Sequence, residues 1–404
     1  MGEVNVRRLN IHGMFLQAVF WFGACSYIGF MVVTLIDFGW SQSEAAGAIT
    51  IMSVIIFLIQ PMYGYLCDRY FSEKKMSVCL IGLSVVFMVL LPLALYSGNR
   101  VLILLNMVGM TISCMQVSGL VDSWIVGLSQ EFAGINYGFI RGSGSLGFAL
   151  AAQVTGIITG YFGHQSRLWL GSIFIFLSLL LAIRFRSTKR VRVLSGQKKE
   201  TTRLSGIEAL KLIFHSKQYC LLLAVVFFLF LSQASLNILI QILILDLGGT
   251  TIQIGTAIAI TAGSEIPIMF LMAILLKKFG YKKLFIFSGI FFVIRMLAMA
   301  FAVRIFVVYG IQLLQAFGFA VLLPIAISFL AKIVDERVRS TAITTFAAIT
   351  GSLPGILANL MTTALLANEI SIQAIMLMFA AAAVIGLALV IYGAVRKVWD
   401  VSFP

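Results

Sequence analysis

Twelve apolar runs, each long enough to cross a bilayer, leave this chain few ways to fold. They fall at roughly 14–36, 43–66, 76–96, 101–128, 139–162, 168–185, 218–245, 251–276, 284–302, 305–331, 341–366 and 371–395. A spanning helix needs about 20 predominantly apolar residues. The chain is 61% hydrophobic and 11% charged, with a mean hydropathy of +1.05. Soluble domains are about a quarter charged. The expectation is an all-α polytopic membrane protein of twelve transmembrane helices, not a string of water-soluble domains.

The charges set the orientation. With the N-terminus inside, the inward-facing segments hold 24 lysines and arginines. The outer loops hold only Arg100, Arg167 and Arg304. Basic loops stay cytoplasmic, so both termini are expected there, with anionic lipid at that face. The net charge of +14 is thereby explained by topology, and no nucleic acid is expected. Five scattered cysteines (Cys25, Cys67, Cys79, Cys114, Cys220) form no CxxC or Cys/His cluster. Neither a disulfide framework nor a metal site nor any cofactor is expected. The basic start "MGEVNVRRLNIHG" runs into a full-length helix, read as retained. Absence of N-x-[ST] sites and organelle addresses fits a bacterial inner membrane, and a monomer is expected.

The longest polar segment splits the chain near its midpoint, giving halves 1–185 and 218–404 around a basic loop, 186–217. In that loop "SGIEALKLIFHSK" has the pattern of a short amphipathic helix. The halves repeat: "IDFGWSQSEAAGAITI" is echoed by "LDLGGTTIQIGTAIAI", and Gly47, Lys74 and Lys75 correspond to Gly255, Lys282 and Lys283 at an offset of 208. Two pseudo-symmetric six-helix halves are a transporter architecture, with the substrate near the midplane.

"GYLCDRYFSEKK", Gly64 to Lys75, resembles the loop signature of the major facilitator superfamily. "YGFIRGSGSLGFALAAQVTGI", "GSEIPIMF" and "VDERVRSTA" are similar to its lactose permease and nucleoside permease branch, the oligosaccharide/nucleoside proton symporters. The resemblance implies the major facilitator fold, a conformational gate at Gly64, Asp68, Arg69 and Lys75, and proton-coupled uptake of a sugar or nucleoside. The alternatives are a drug or metabolite exporter and a uniporter. Exporters of the superfamily carry a proline-containing glycine run on helix 5, and "GSGSLGFALAAQVTG" has no proline. No nucleophile–base cluster or HExxH supports an enzyme.

Four ionisable residues fall inside spans: Asp122, Arg141, Glu265 and Arg295. Each costs about 2.5–3.5 kcal/mol at mid-helix unless paired or beside a polar cavity. Asp122 and Arg141 lie at similar depth on either side of the turn near Phe132. They are either a structural salt bridge or a substrate clamp, since guanidinium and carboxylate bind hydroxyls. The resemblance implies the clamp, with Phe148 in place of a tryptophan that stacks on sugar. Glu265 is the candidate proton carrier and Arg295 its partner. Gln233, Asn237 and Gln241 share one helix face, and Gln315 adds an amide; these either line the substrate cavity or bond helices together. The branch's helix 10 His and Glu are replaced by Gln315 and Gly318, so the proton machinery does not transfer whole.

Overall fold

The computed structural model describes residues 5–187, 206–334, 342, 345–346 and 348–400, with the side chains of 60–61, 64–69, 130, 206–210, 273, 331 and 348 outside that description. No strand occurs among the described residues. The first half is built from α1 Val6–Ile28, α2 Met31–Asp37, α3 Gln42–Arg69, α4 Glu73–Tyr96, α5 Arg100–Glu131, α6 Tyr137–Phe162 and α7 His164–Arg184. After α8, Gly206–His215, come α9 Lys217–Asp246, α10 Thr251–Ala300, α11 Ile305–Gln312, a 3₁₀ turn Leu313–Ala316 and α12 Phe319–Ile333. A π turn, Ala348–Ser352, leads into α13 Leu353–Ala367 and then α14 Ile372–Val395. Among the described residues twelve segments are long and apolar enough to span a membrane. The stretch α10 holds two of them, and its helical path is broken at Gly280, whose φ of +71° turns the chain.

Local chemistry fixes the ends. Asn5, Ser72, Asn99, Asn136 and Ser371 each cap a helix by accepting a backbone N–H from its first turn, which satisfies donors a helix start leaves open. The first span departs from the run at 14–36. Its helix begins at Val6 because Asn5 caps it, and it stops at Ile28, before Gly29 and Phe30. There glycine's weak helix preference lets the short α2 start afresh with Met31, Val32, Val33 and Leu35 buried.

The repeat is visible in the backbone. Gly39 and Gly248 both have positive φ, +83° and +75°. Each closes a Schellman-type cap, Trp40 N–H to Leu35 C=O at 3.1 Å and Gly249 N–H to Ile244 C=O at 2.8 Å. Ser41 and Glu44 then form a capping box, with bonds of 3.1 and 2.8 Å. Thr250 and Gln253 supply half of one, at 2.6 Å. These pairs are 209 apart, one more than the 208 that relates Gly47 to Gly255. The turn registers the repeat by its caps rather than by that glycine.

By packing, the chain forms two compact units, Met1–Arg192 with Ile244–Gly263, and Val193–Leu243 with Ser264–Pro404. In the first, α1 packs on α6 and α7, and α4 on α5 and α7. Its glycines allow the close approaches: a Cβ at Gly147 would strike the Ala18 carbonyl. A Cβ at Gly156 would stand 3.0 Å from the Thr251 carbonyl. That second contact ties residues 244–263 to α6. The second unit closes around Tyr219, Phe285, Phe329 and Trp399. Trp399 bonds the Val390 carbonyl at 2.8 Å and packs on Phe285 with ring centroids 4.7 Å apart. Outward apolar side chains such as Leu93, Phe306 and Val395 are exposed, as lipid-facing positions require.

Candidate functional site

Two polar clusters form, one inside each unit. In the first, α5 brings Asp122 and α6 brings Arg141. The antiparallel turn at Phe132–Asn136 sets them at equal depth, and Arg141 Nε stands 3.3 Å from Asp122 Oδ2. Gln17 of α1 donates to the other carboxylate oxygen at 2.8 Å. The pair is not sealed: the Arg141 side chain is 36% exposed and that of Asp122 23%. Within a spanning segment such exposure calls for a polar cavity rather than lipid.

Trp21, one turn beyond Gln17, completes this cluster. The Arg141 guanidinium lies 5.4 Å from its ring centroid, a cation–π contact. Phe148 meets the same indole edge-on at 5.9 Å and 71°. Phe148 therefore packs against Trp21, an aromatic pair where the sequence offered a single ring. Gln17 and Trp21 are the residues that the sequence reading missed. Their signal was present, an amide and an indole four apart in an apolar run.

The second cluster centres on Arg295, 3% exposed on α10. Its Nη1 donates to the amide oxygens of Gln233 on α9 and of Gln315. Its Nη2 donates to Gln312 Oε1 at 2.7 Å. The 3₁₀ turn makes this possible, because side chains three apart eclipse in that geometry. Gln312 and Gln315 thus face Arg295 together. Gln315 Nε2 turns to Glu265 Oε1 at 2.7 Å. Among the described residues Glu265 and Arg295 make no direct ion pair; the Gln315 amide joins them. At the break after the 3₁₀ turn the Gly318 carbonyl accepts from Ser288 Oγ at 2.9 Å as well as from the Leu322 N–H at 3.0 Å.

The remaining predicted residues stand apart. Asn237 is exposed, and Gln241 turns its amide back onto the Asn237 carbonyl at 3.1 Å. The shared helix face of Gln233, Asn237 and Gln241 does not bring all three to Arg295. Lys75 is exposed in the first turn of α4. The side chains of Gly64, Asp68 and Arg69 lie outside the described residues. Arg167, read as an outer-loop charge, is fully buried. Its Nη2 bonds Asp37 Oδ2 at 2.7 Å, and His164 Nδ1 reaches the same oxygen at 2.9 Å. Asp37 and His164 border a cavity of about 540 Å³, lined also by Phe38, Tyr96, Phe162 and Gln165. Among the described residues no three metal-ligating side chains converge.

The chain is similar to known permeases along most of its length. It is 27% identical to the maltose permease of Geobacillus stearothermophilus over 351 residues, 85% of this chain and 84% of that protein. It is 25% identical to the uncharacterized transporter YwbF of Bacillus subtilis (strain 168) over 356 residues, 87% and 85% of the two chains. The crystal structure of the nucleoside transporter NupG superposes with a TM-score of 0.79 at 14% identity, covering 95% of this chain and 98% of that one. That likeness shows a common fold. The sequence model of the MFS_1 like family matches residues 14–369. The chain therefore belongs to the MFS_1 like family, and it is a multi-pass membrane transporter of the major facilitator type.

Proposed function

We infer that this transporter carries a small hydroxyl-bearing solute, a sugar, oligosaccharide or nucleoside, by alternating access in symport with a proton. The observation that carries the reading is the Asp122–Arg141 pair. It is partly exposed inside a span, and it stands beside two aromatic rings. A guanidinium fork donates to hydroxyls and a carboxylate accepts from them, and Trp21 with Phe148 offers apolar faces for a ring. The similarity to a maltose permease supports the same solute class.

Glu265 is the proposed proton carrier. It is linked to Arg295 through one amide that a displaced bond can break. Gly64, Asp68, Arg69 and Lys75 form the proposed cytoplasmic gate. The bacterial inner membrane, a monomeric state and two cytoplasmic termini belong to the same proposal. Uniport is the second reading, and it draws on the neutral Gln315 at the position of a titratable histidine in the resembling branch.

Calorimetry on purified protein with maltose and uridine as probes tests the clamp. Asp122→Asn and Arg141→Lys each abolish binding while thermal unfolding shows a folded protein. Unchanged binding would return the pair to a structural role. In proteoliposomes, Glu265→Gln keeps solute exchange and loses accumulation driven by a pH gradient. Accumulation that survives this change removes Glu265 from coupling. Absence of pH-driven accumulation in a wild type that still exchanges solute overturns proton symport.

A further inference from the structure

Two buried polar atoms of α1 reach the same spot without a protein partner. Gln17 Oε1 accepts hydrogen bonds and Trp21 Nε1 donates them; both are buried and unbonded among the described residues. Residues four apart share a helix face. Both side chains converge on Gly144 of α6, where a Cβ would stand 3.4 Å from Gln17 Oε1 and 3.1 Å from Trp21 Nε1. That Cβ would also strike the indole, 2.5 Å from Trp21 Cδ1. Glycine is thus what admits the tryptophan here.

Neither group is free to turn away. Gln17 spends its Nε2 on Asp122, which fixes the direction of its oxygen. The indole is held between Arg141 and the edge of Phe148. An unpaired buried donor and an unpaired buried acceptor each cost about 1–3 kcal/mol, so a partner for both is strongly favoured. A hydroxyl fits, because one oxygen both donates and accepts. A carbonyl has no proton for Gln17, and an ammonium has no lone pair for Trp21.

We propose that Gln17 and Trp21 form a hydroxyl-reading slot beside the Asp122–Arg141 pair. One substrate hydroxyl donates to Gln17 Oε1 and accepts from Trp21 Nε1. The inference rests on the reading of the solute as hydroxyl-bearing, and it makes these two residues determinants of specificity.

The test is binding calorimetry on the full chain with maltose, uridine and the monodeoxy analogues of each. One deoxy position weakens wild-type binding about tenfold. Trp21→Phe keeps an aromatic ring and removes the indole N–H, so it weakens the parent ligand by about the same factor. It leaves that one deoxy analogue unchanged. If Trp21→Phe fails to fold, the wild-type deoxy series carries the test, and a series in which no single deoxy position weakens binding overturns the slot. Equal weakening of the parent and all its analogues, or no change in either, overturns the slot while the solute class stands; the pair then bridges α1 and α6 through water. Wild-type protein that binds neither maltose nor uridine nor any analogue overturns the solute class and the slot together.

Discussion

Arg167 and Arg295 are both buried guanidiniums, held in opposite ways. Arg167 meets a carboxylate, Asp37, and leaves Nε and Nη1 without a partner among the described residues. Arg295 meets three neutral amide oxygens. Removing one partner of a buried ion pair strands the other charge, which costs about 3–5 kcal/mol. Arg167→Met therefore lowers the thermal unfolding midpoint sharply, and Asp37→Asn in the same chain recovers part of the loss. Additive losses in the double variant would deny the pairing. Gln315→Leu strips an acceptor from Arg295 and a donor from Glu265, and costs about 1–3 kcal/mol in the same measurement. The sequence announced Asp122, Arg141, Glu265 and Arg295, because a charge in an apolar run is conspicuous. It hid Arg167, which sits where an outer loop should end. Its burial depends on Asp37 arriving from α2 across more than a hundred residues. It also hid the route from Arg295 to Glu265, since nothing in the spacing shows that Gln315 stands between them.

At the scale of elements, departures from regular helix do the positioning. Span ten reads as one apolar run, and the structure divides it into α11, a 3₁₀ turn and α12. Gly318 and Pro324 marked a weak point, but only the fold shows that the tighter turn aligns Gln312 with Gln315. The crossing of α6 with the start of α10 is set by glycines. A Cβ at Gly156 would stand 3.2 Å from Gly255 Cα, and one at Gly255 would strike the Ala152 carbonyl. At Gly160, a Cβ would stand 2.5 Å from Ile252 Cγ1. A branched side chain here forces the helices apart, and overpacking of this kind costs about 1–3 kcal/mol. Cysteines placed at 160 and 252 in a background without other cysteines should cross-link readily. Adding Gly255→Val should depress the yield. Undiminished cross-linking in that variant would show that the two segments accommodate the extra volume without separating.

For the whole molecule the repeat and the charge distribution were the most legible features, because both are written along the chain rather than across it. The Asp-x-Gly-x-hydroxyl turn recurs from Asp37 to Ser41 and from Asp246 to Thr250, and it folds the same way twice. The corresponding aspartates nevertheless diverge. Asp37 holds Arg167 and His164, while Asp246 accepts from Gln42 at 3.2 Å. Duplication preserved the backbone device and released the side chain for different partners. Orientation follows from the other long-range pattern. With 24 basic residues assigned to one face and three to the other, each contributing about 1 kcal/mol near an anionic surface, the inverted topology is disfavoured many times over. Burial of Arg167 in a pair with Asp37 strengthens the bias, since it takes one of the three opposing charges out of solvent. Alkaline phosphatase fused after Gly98 or Gly163 should be active, and fused after Ser72 or Gly280 inactive. A fluorescent protein joined after Pro404 should mature in the cytoplasm. Activity at Ser72 would reverse the orientation. Activity at both Gly98 and Ser72 would mean that the spans insert in two orientations, an outcome that so steep a charge asymmetry does not permit.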